Sequence, residues 1–505
     1  EAPCSGALGM SLPPFEEALA PDPGEEPDAL TGRVTSGAGW TAAANLASQA
    51  AQLLSTIVLV RLLVPADYGL ATVVWFVTGF AALFTQLGIG QAIVQRRKLD
   101  QDYLDAGFWA NMITGIGLTL LIAALSPVIA AVYEEPQLTG LLIIASLAFT
   151  LNSAVVPAAI LERRFQFRSI ALVEGGCRIV GWLAAIGFAL AGWGASSLVL
   201  GPMVAFGLTT ILMFLVVRWR PRGFGSKDSY RSLWRYGRGV TGYTITDFFA
   251  HQSDSVLVPL VASPTNVGYY NRAYNLMTLP VSQIGGTLGR VLLPALAAVR
   301  DDPERLRRGI RRSVLVVCAI AFPVAGGLLA TANDLIPVLF GNQWLDAVIL
   351  VQILSAASFP QIAETPLRSV FTATGETGQL FKYGLVQCLL SVLAVVVGLP
   401  WGVQGVAIAI LVRQWVGLPL SLGWPMRIVH QPLWGLVRTL IGPAVAVGGM
   451  ILAVVGVGRL AADWGQVTRL ALEVATGVVV YPILLRVFSP SATQEIVGII
   501  RRRGR

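Results

Sequence analysis

The sequence predicts an all-α, polytopic membrane protein of about fourteen transmembrane helices, and three observations carry that expectation. Charged residues make up 13% of the 505 positions, half of the roughly one quarter usual in soluble domains. Hydrophobic residues make up 55%, and the mean hydropathy is +0.68. Basic residues gather in every second connection between the apolar runs, as they do in cytoplasmic loops of membrane proteins.

A spanning helix needs about 20 apolar residues. Runs that meet this need lie near 38–63, 66–94, 105–132, 138–161, 169–192, 195–217 and 238–261 in the first half of the chain. They continue near 266–298, 312–332, 346–373, 379–399, 402–424, 434–459 and 466–488. The connections after even spans carry Arg96, Arg97 and Lys98, then Arg163, Arg164 and Arg168, then Arg218 to Arg235, then Arg305 to Arg311. Lys382, Arg427 and Arg438 follow, and the chain ends in Arg501, Arg502, Arg503 and Arg505. The odd connections, such as VPADYG, YEEPQ, AGWG and LPWGVQG, are bare of Lys and Arg. This alternation predicts an even span number with both termini cytoplasmic.

Residues 1–36 are acidic and rich in Pro and Gly, and read as a disordered tail without the layout of a signal peptide. The expected order is then a first lobe at 37–217, a cytoplasmic amphipathic linker at 218–237, a second lobe at 238–430, two further spans at 431–488 and a basic tail at 489–505. In the linker, Leu233, Trp234 and Tyr236 are expected toward lipid and the arginines toward head groups.

Composition also excludes functions. Of the 36 basic residues only Lys98, Lys227 and Lys382 are lysines, and no basic, aromatic-interleaved domain suggests nucleic acid. Cys4, Cys177, Cys318 and Cys388 form no CxxC pair, and His251 and His430 are the only histidines, so no metal site is expected. No Walker A pattern is present, which argues against direct ATP drive. No long outer loop carries the arginines and histidines expected of a polysaccharide polymerase or ligase, so a transporter is expected rather than an enzyme.

Two segments echo one another. VLVRLLVPADYGLA at Val58–Ala71 matches VLVPLVASPTNVGYY at Val256–Tyr270, with Gly69 and Gly268 equivalent. QLGIG at Gln86–Gly90 resembles QIGGT at Gln283–Thr287, and GWG at Gly192–Gly194 resembles PWG at Pro400–Gly402. Copies running in the same direction predict two parallel six-helix lobes around a central cavity, with two extra C-terminal helices.

These motifs, together with DSVLVPLVASPTNVGYYNRAYNLMTLP at 254–280, resemble the polysaccharide transporter (Wzx-like) branch of the multidrug/oligosaccharidyl-lipid/polysaccharide (MOP) exporter superfamily, over about residues 37–430. The resemblance implies a flippase that moves undecaprenyl-pyrophosphate-linked oligosaccharide repeat units from the inner to the outer leaflet. The implied use is exopolysaccharide, capsule or O-antigen assembly, with membrane lipids and polysaccharide polymerase or export machinery as partners. Two other readings stay open within the superfamily: a cation-coupled multidrug exporter and a lipid II flippase. The absence of Asp and Glu from 38–63 counts against the exporter, and the closing motif of the first span counts against the lipid II reading.

Ionisable residues inside a membrane are costly and mark function by default. Asp247, His251 and Asp254 share one helical face, which suits H+ or Na+ coupling or, more plainly, a hydrogen-bond network. Asp254 also matches the aspartate that precedes the LVPL stretch in the resembled family. Arg272 and Arg290, among Tyr270, Tyr274, Asn275 and Gln283, suit a pyrophosphate and its sugars, or else snorkel to head groups. Glu174 with Arg178, and Glu364 with Arg368, are spaced to pair along one helix, and such pairs can open for an anion. Arg413 has no acid one turn away on its own helix. Asn45, Gln49 and Gln52 form a polar stripe expected to face the cavity. No cofactor is expected. Export of an anionic head group gains roughly 2.3 kcal/mol per charge per 100 mV of potential, and H+ or Na+ antiport through the acids is the rival drive.

Overall fold

A computed structural model of the chain describes residues 47–85, 89–96, 99–164, 166–233, 248, 252–278 and 302–503. Among these residues the regular structure is entirely helical. Among the described residues ten helical stretches are long and apolar enough to cross a membrane, and 378–428 among them holds two helices, Thr377–Gly398 and Gly402–Ile428, joined by the Leu399–Trp401 turn. Ala47–Leu62 is a shorter apolar helix at the place of the first expected span. Most of the seventh and eighth expected spans lies outside the described residues. Apolar side chains such as Leu120, Leu215, Val416 and Leu452 stand exposed, a surface that suits hydrocarbon rather than water.

The chain divides into two units, residues 1–62 with 77–245, and residues 63–76 with 246–505. The boundary at 76 falls inside one helix, Pro65–Thr85.

In the first unit, Phe167–Leu190 packs on Ala195–Val217 through small residues. A Cβ at Gly181 would lie 2.7 Å from the Ala205 Cβ, and one at Gly201 would lie 2.6 Å from the Ala185 Cβ. Each helix thus offers a small-xxx-small patch, which lets membrane helices gain close van der Waals contact where no hydrophobic drive exists between them.

The connection 218–233 is packed as a strap on this unit. The Trp219 indole donates to Gln101 Oε1 at 3.1 Å, and the Arg222 main-chain N–H faces both Asp105 oxygens at 3.2 and 3.3 Å. Ser226 and Ser229 hydroxyls donate to Asp102 Oδ2 at 2.7 and 2.8 Å. Gly225 has φ +79°, and a Cβ there would strike the Ala106 backbone. Burial, then the charges of Asp102 and Asp105, raise the Tyr230 phenol above its usual range. The expectation that Leu233 faces lipid is corrected: it is 4% exposed and belongs to the core with Trp219, Phe108 and Ile160. The apolar face of the strap finds protein partners, which satisfies it better than head groups would. Trp234 and Tyr236 lie outside the described residues.

In the second unit, one core joins Pro303–Leu339, Ala347–Glu364, Gly402–Ile428, Leu433–Leu460 and Gln466–Phe488. The two C-terminal spans are part of this core, through Val447, Met450, Val454 and Leu485, and Tyr481 donates to the Ala319 carbonyl at 2.7 Å. The two echoing motifs meet here. A Cβ at Gly69 would collide with the Pro264 carbonyl, and a Cβ at Gly268 with the Pro65 carbonyl. PADYG and PTNVG therefore cross backbone to backbone, each glycine lying on the other's proline. That explains why glycine recurs at equivalent places in both copies.

Candidate binding and coupling site

The helical residues 264–278 in the second unit have two different polar faces. Tyr270, Tyr274 and Met277 lie on one face, and Asn271, Arg272 and Asn275 lie on the other.

The first face borders a cavity of about 50 Å³, lined by Asp254, Tyr274, Glu364, Arg368, Gln387 and Arg413 among others. This volume holds a few waters or an ion at most and is far below the roughly 300–1,000 Å³ of small-molecule pockets. Asp254 precedes the Val258–Leu260 turn, where Pro259 ends the helix, and is 5% exposed. Tyr270 donates its hydroxyl to Asp254 Oδ2 at 2.8 Å, and the Ser255 N–H faces Oδ1 at 2.9 Å. Tyr270 and Tyr274 stack with centroids 6.0 Å apart. Glu364 closes the Ala347–Glu364 helix, and Pro366 turns the chain through Thr365–Leu367 before Arg368 starts the next helix. The pair survives this break, with Arg368 Nη2 3.7 Å from Glu364 Oε1.

Arg413 is held by a neighbour that sequence spacing could not identify. Its Nη1 donates to Gln387 Oε1 at 3.2 Å, so the expectation of an arginine without a partner one turn away is completed by a partner on another helix. Gln387 is itself oriented, its Nε2 donating to Tyr383 Oη at 2.9 Å and to Ser421 Oγ at 2.8 Å. The Arg413 Nε and Gln361 Oε1 are buried without hydrogen-bond partners. A buried donor and acceptor left open in one cluster are costly in a finished core and suit a site that takes up water or an ion. Gln387 and Gln361 were missed in the sequence. Amides inside apolar helices were the available signal.

On the second face the Arg272 guanidinium lies over the Tyr68 ring, 4.3 Å from its centroid, and 5.9 Å from that of Trp75. Arg272 Nη2 and Asn275 Nδ2 both donate to Asn271 Oδ1 at 2.9 Å. The Arg272 Nε is buried without a hydrogen-bond partner. Tyr68 is 2% exposed and is braced by Trp344 at 5.5 Å. Thus Tyr270 and Tyr274 do not join Arg272 and Asn275 in one site, because the helix turns them to opposite sides.

The remaining candidates lie elsewhere. Arg178 belongs to the first unit and pairs with Glu174 at 3.3 Å, both side chains well exposed. Gln49 and Gln52 are exposed, and neither lines this cavity. Asn45, Asp247, His251, Gln283 and Arg290 lie outside the described residues. The described residues hold no cluster of His, Cys, Asp and Glu suited to a metal ion.

A multi-span helical fold, with charged clusters built between its helices, defines a polytopic membrane protein with a polar site among its spans. A profile described as polysaccharide biosynthesis protein matches residues 58–349, and the chain belongs to that family. It is 27% identical over 400 residues to the lipopolysaccharide biosynthesis protein WzxC of Escherichia coli K12, covering 78% of this chain and 80% of that one. Its fold is similar to the inward closed conformation of the lipid II flippase MurJ, with a TM-score of 0.71 at 14% identity, over 89% of this chain and 99% of that one. It is also similar to the inward-facing conformation of a multidrug resistance MATE family transporter of the MOP superfamily, with a TM-score of 0.60 at 16% identity, over 76% of this chain and 94% of that one.

Proposed function

We propose that the protein is an inner-membrane flippase that moves undecaprenyl-pyrophosphate-linked oligosaccharide units from the inner to the outer leaflet, for exopolysaccharide, capsule or O-antigen assembly. Membership of the polysaccharide biosynthesis family supports the substrate class. The proposed architecture is about fourteen spans, as two parallel six-helix lobes around a central cavity plus two C-terminal helices, with both termini cytoplasmic. Alternating access exposes the cavity to each leaflet in turn.

The observation that carries the reading is the two-faced helix at 264–278. One face carries Arg272, a guanidinium with an unsatisfied Nε, which suits a pyrophosphate oxygen. The other borders the cavity where Asp254 and Glu364 stand among Arg368 and Arg413. Movement of this helix then links anion binding on one side to the charge state of the acids on the other. H+ or Na+ exchange at Asp254 and Glu364, or the membrane potential acting on the pyrophosphate, supplies the drive. Arg413 and Arg368 balance the acids and take the anion when the pairs open.

The test is transfer of a fluorescent undecaprenyl-pyrophosphate oligosaccharide across proteoliposomes, by wild type and by Arg272→Ala and Arg413→Ala. Transfer by wild type that falls at least tenfold in both folded variants supports the reading. No transfer by wild type under any applied potential, proton gradient or sodium gradient overturns it.

A further inference from the structure

One acid of the second unit lies outside the cavity at Asp254 and Glu364 and is held without a counter-charge of its own. Glu473 stands about 10 Å along the Gln466–Phe488 helix from Gln466, by the 1.5 Å rise per residue. That is well inside a hydrocarbon core of about 30 Å. It is 4% exposed, and its Oε2 is buried without a hydrogen-bond partner. The packing is shaped to this side chain. A Cβ at Gly458 of Leu433–Leu460 would strike Glu473 Oε1, so the glycine leaves the room that the carboxyl fills.

The groups around Glu473 do not balance its charge. Pro303–Leu339 brings Asp334, its own helix brings Arg469 one turn back, and Leu433–Leu460 presents Gly458. Arg469 spends both Nε and Nη2 on Asp334. With both acids ionised, the cluster holds one negative charge in excess among apolar helices, and a buried acid escapes that cost by becoming neutral. The Glu473 carboxyl also faces that of Asp334. Two carboxyls hydrogen-bond only when one of them holds a proton, because an ionised one is an acceptor alone. Asp334 stays ionised in the grip of the guanidinium, so the proton belongs on Glu473. A proton needs one acceptor oxygen, whereas a metal cation needs several more oxygens than Glu473 supplies.

We propose that Glu473 is a proton-binding site, separate from the Asp254 and Glu364 cavity, whose proton neutralises the cluster and so docks the last span on the Pro303–Leu339 helix. The proton exchanges with water on the Arg469 side, where that side chain is 23% exposed. Its loss leaves a carboxylate that no cation balances, and the last span loosens. The inference is independent of the flippase reading.

The test is thermal melting of the purified protein in detergent from roughly pH 5 to pH 9, for wild type, Glu473→Gln and Glu473→Leu. Each is measured with Na+, K+ or choline as the salt cation at one ionic strength. Both variants are neutral at this position at every pH, so both are expected to fold and to melt close to wild type at the acidic end. Glutamates of the unfolded chain ionise near about pH 4.3. A native state that keeps its proton above that value binds more protons than the unfolded state, so its stability falls as pH rises. Wild type is therefore expected to lose ground to both variants, by about tenfold in the folding equilibrium per pH unit, until Glu473 itself ionises. A wild-type profile parallel to that of the variants overturns the site. Failure of both neutral variants to fold also overturns it, because the charged carboxylate would then be what the fold requires. Stabilisation of wild type by Na+ or K+ over choline, absent in Glu473→Gln, assigns a metal cation to the carboxylate and overturns the proton. Should one variant fail to fold, the other supplies the comparison.

Discussion

Two charge clusters lie within the membrane helices of the second unit, and their arginines are held differently. At Asp334 and Arg469, the guanidinium grips the carboxylate with both Nε and Nη2, and the side chains are 5% and 23% exposed. Glu473, 4% exposed, is packed against Gly458 one turn further along the Gln466–Phe488 helix, with its Oε2 buried and without a hydrogen-bond partner. At the candidate site, Arg368 stands 3.7 Å from Glu364 with 40% of its side chain exposed, and Arg413 has a single bond to an amide and a buried open Nε. The first cluster ties a C-terminal span to the Pro303–Leu339 helix. The second leaves hydrogen-bonding capacity unspent where a mobile ion or anion can use it. Burial of charge alone therefore does not mark function. What separates the clusters is the arginine: Arg469 is spent on a carboxylate, whereas Arg413 keeps a buried donor open for a ligand.

Arg469→Ala gives the largest expected effect on stability. It leaves the Asp334 carboxylate buried without its counter-charge, at a cost of about 3–5 kcal/mol. Thermal melting of the purified protein in detergent measures this, and a loss below 1 kcal/mol would erase the contrast between the clusters. Tyr270→Phe comes next, because it removes a hydroxyl bonded to a carboxylate, worth about 1.5–3 kcal/mol. The same melt, run beside transport, separates a stabilising Tyr270 from one that gates Asp254.

Arg413→Ala sharpens the comparison from the other side. Its one neutral partner predicts a stability change of about 1 kcal/mol or less, while transport falls about tenfold or more. An Arg413→Ala protein that melts like Arg469→Ala would make both clusters structural. Arg178→Ala sets the baseline, since its pair with Glu174 is exposed and on one helix. It is expected to change stability by about 0–1 kcal/mol. Transport in this variant close to wild type would remove Arg178 from the binding residues.

The pair Glu174–Arg178 was legible in the sequence because a spacing of four places both ends on one helix face, and Glu364–Arg368 was legible at the same spacing although a Thr365–Leu367 turn separates their helices. The aspartate at 254 was legible too, since a carboxylate in an apolar run needs a reason to be there. Gln387 was not. Its role depends on Arg413, Tyr383 and Ser421, which reach it from other helices or other turns. The side taken by Leu233 in the connection at 218–233 was misread for the same reason. The pattern there is amphipathic, but whether lipid or protein covers Leu233 is a matter of what lies opposite. Asp102, Asp105 and Trp109, far back in the chain, decided it, Trp109 by donating to the Gly223 carbonyl at 2.8 Å.

By itself the sequence determined the class of the protein. Apolar length and the rarity of charge require a membrane, because a backbone in hydrocarbon must satisfy itself within helices. It also determined the family, through motifs whose Pro and Gly positions are backbone requirements visible residue by residue. Only the tertiary structure decided that PADYG and PTNVG cross each other, that Tyr270 reaches Asp254, and that Arg413 leans on Gln387. Those are contacts between residues distant in the chain. Local spacing determines which face of its own helix a side chain occupies, but only packing determines what that face meets.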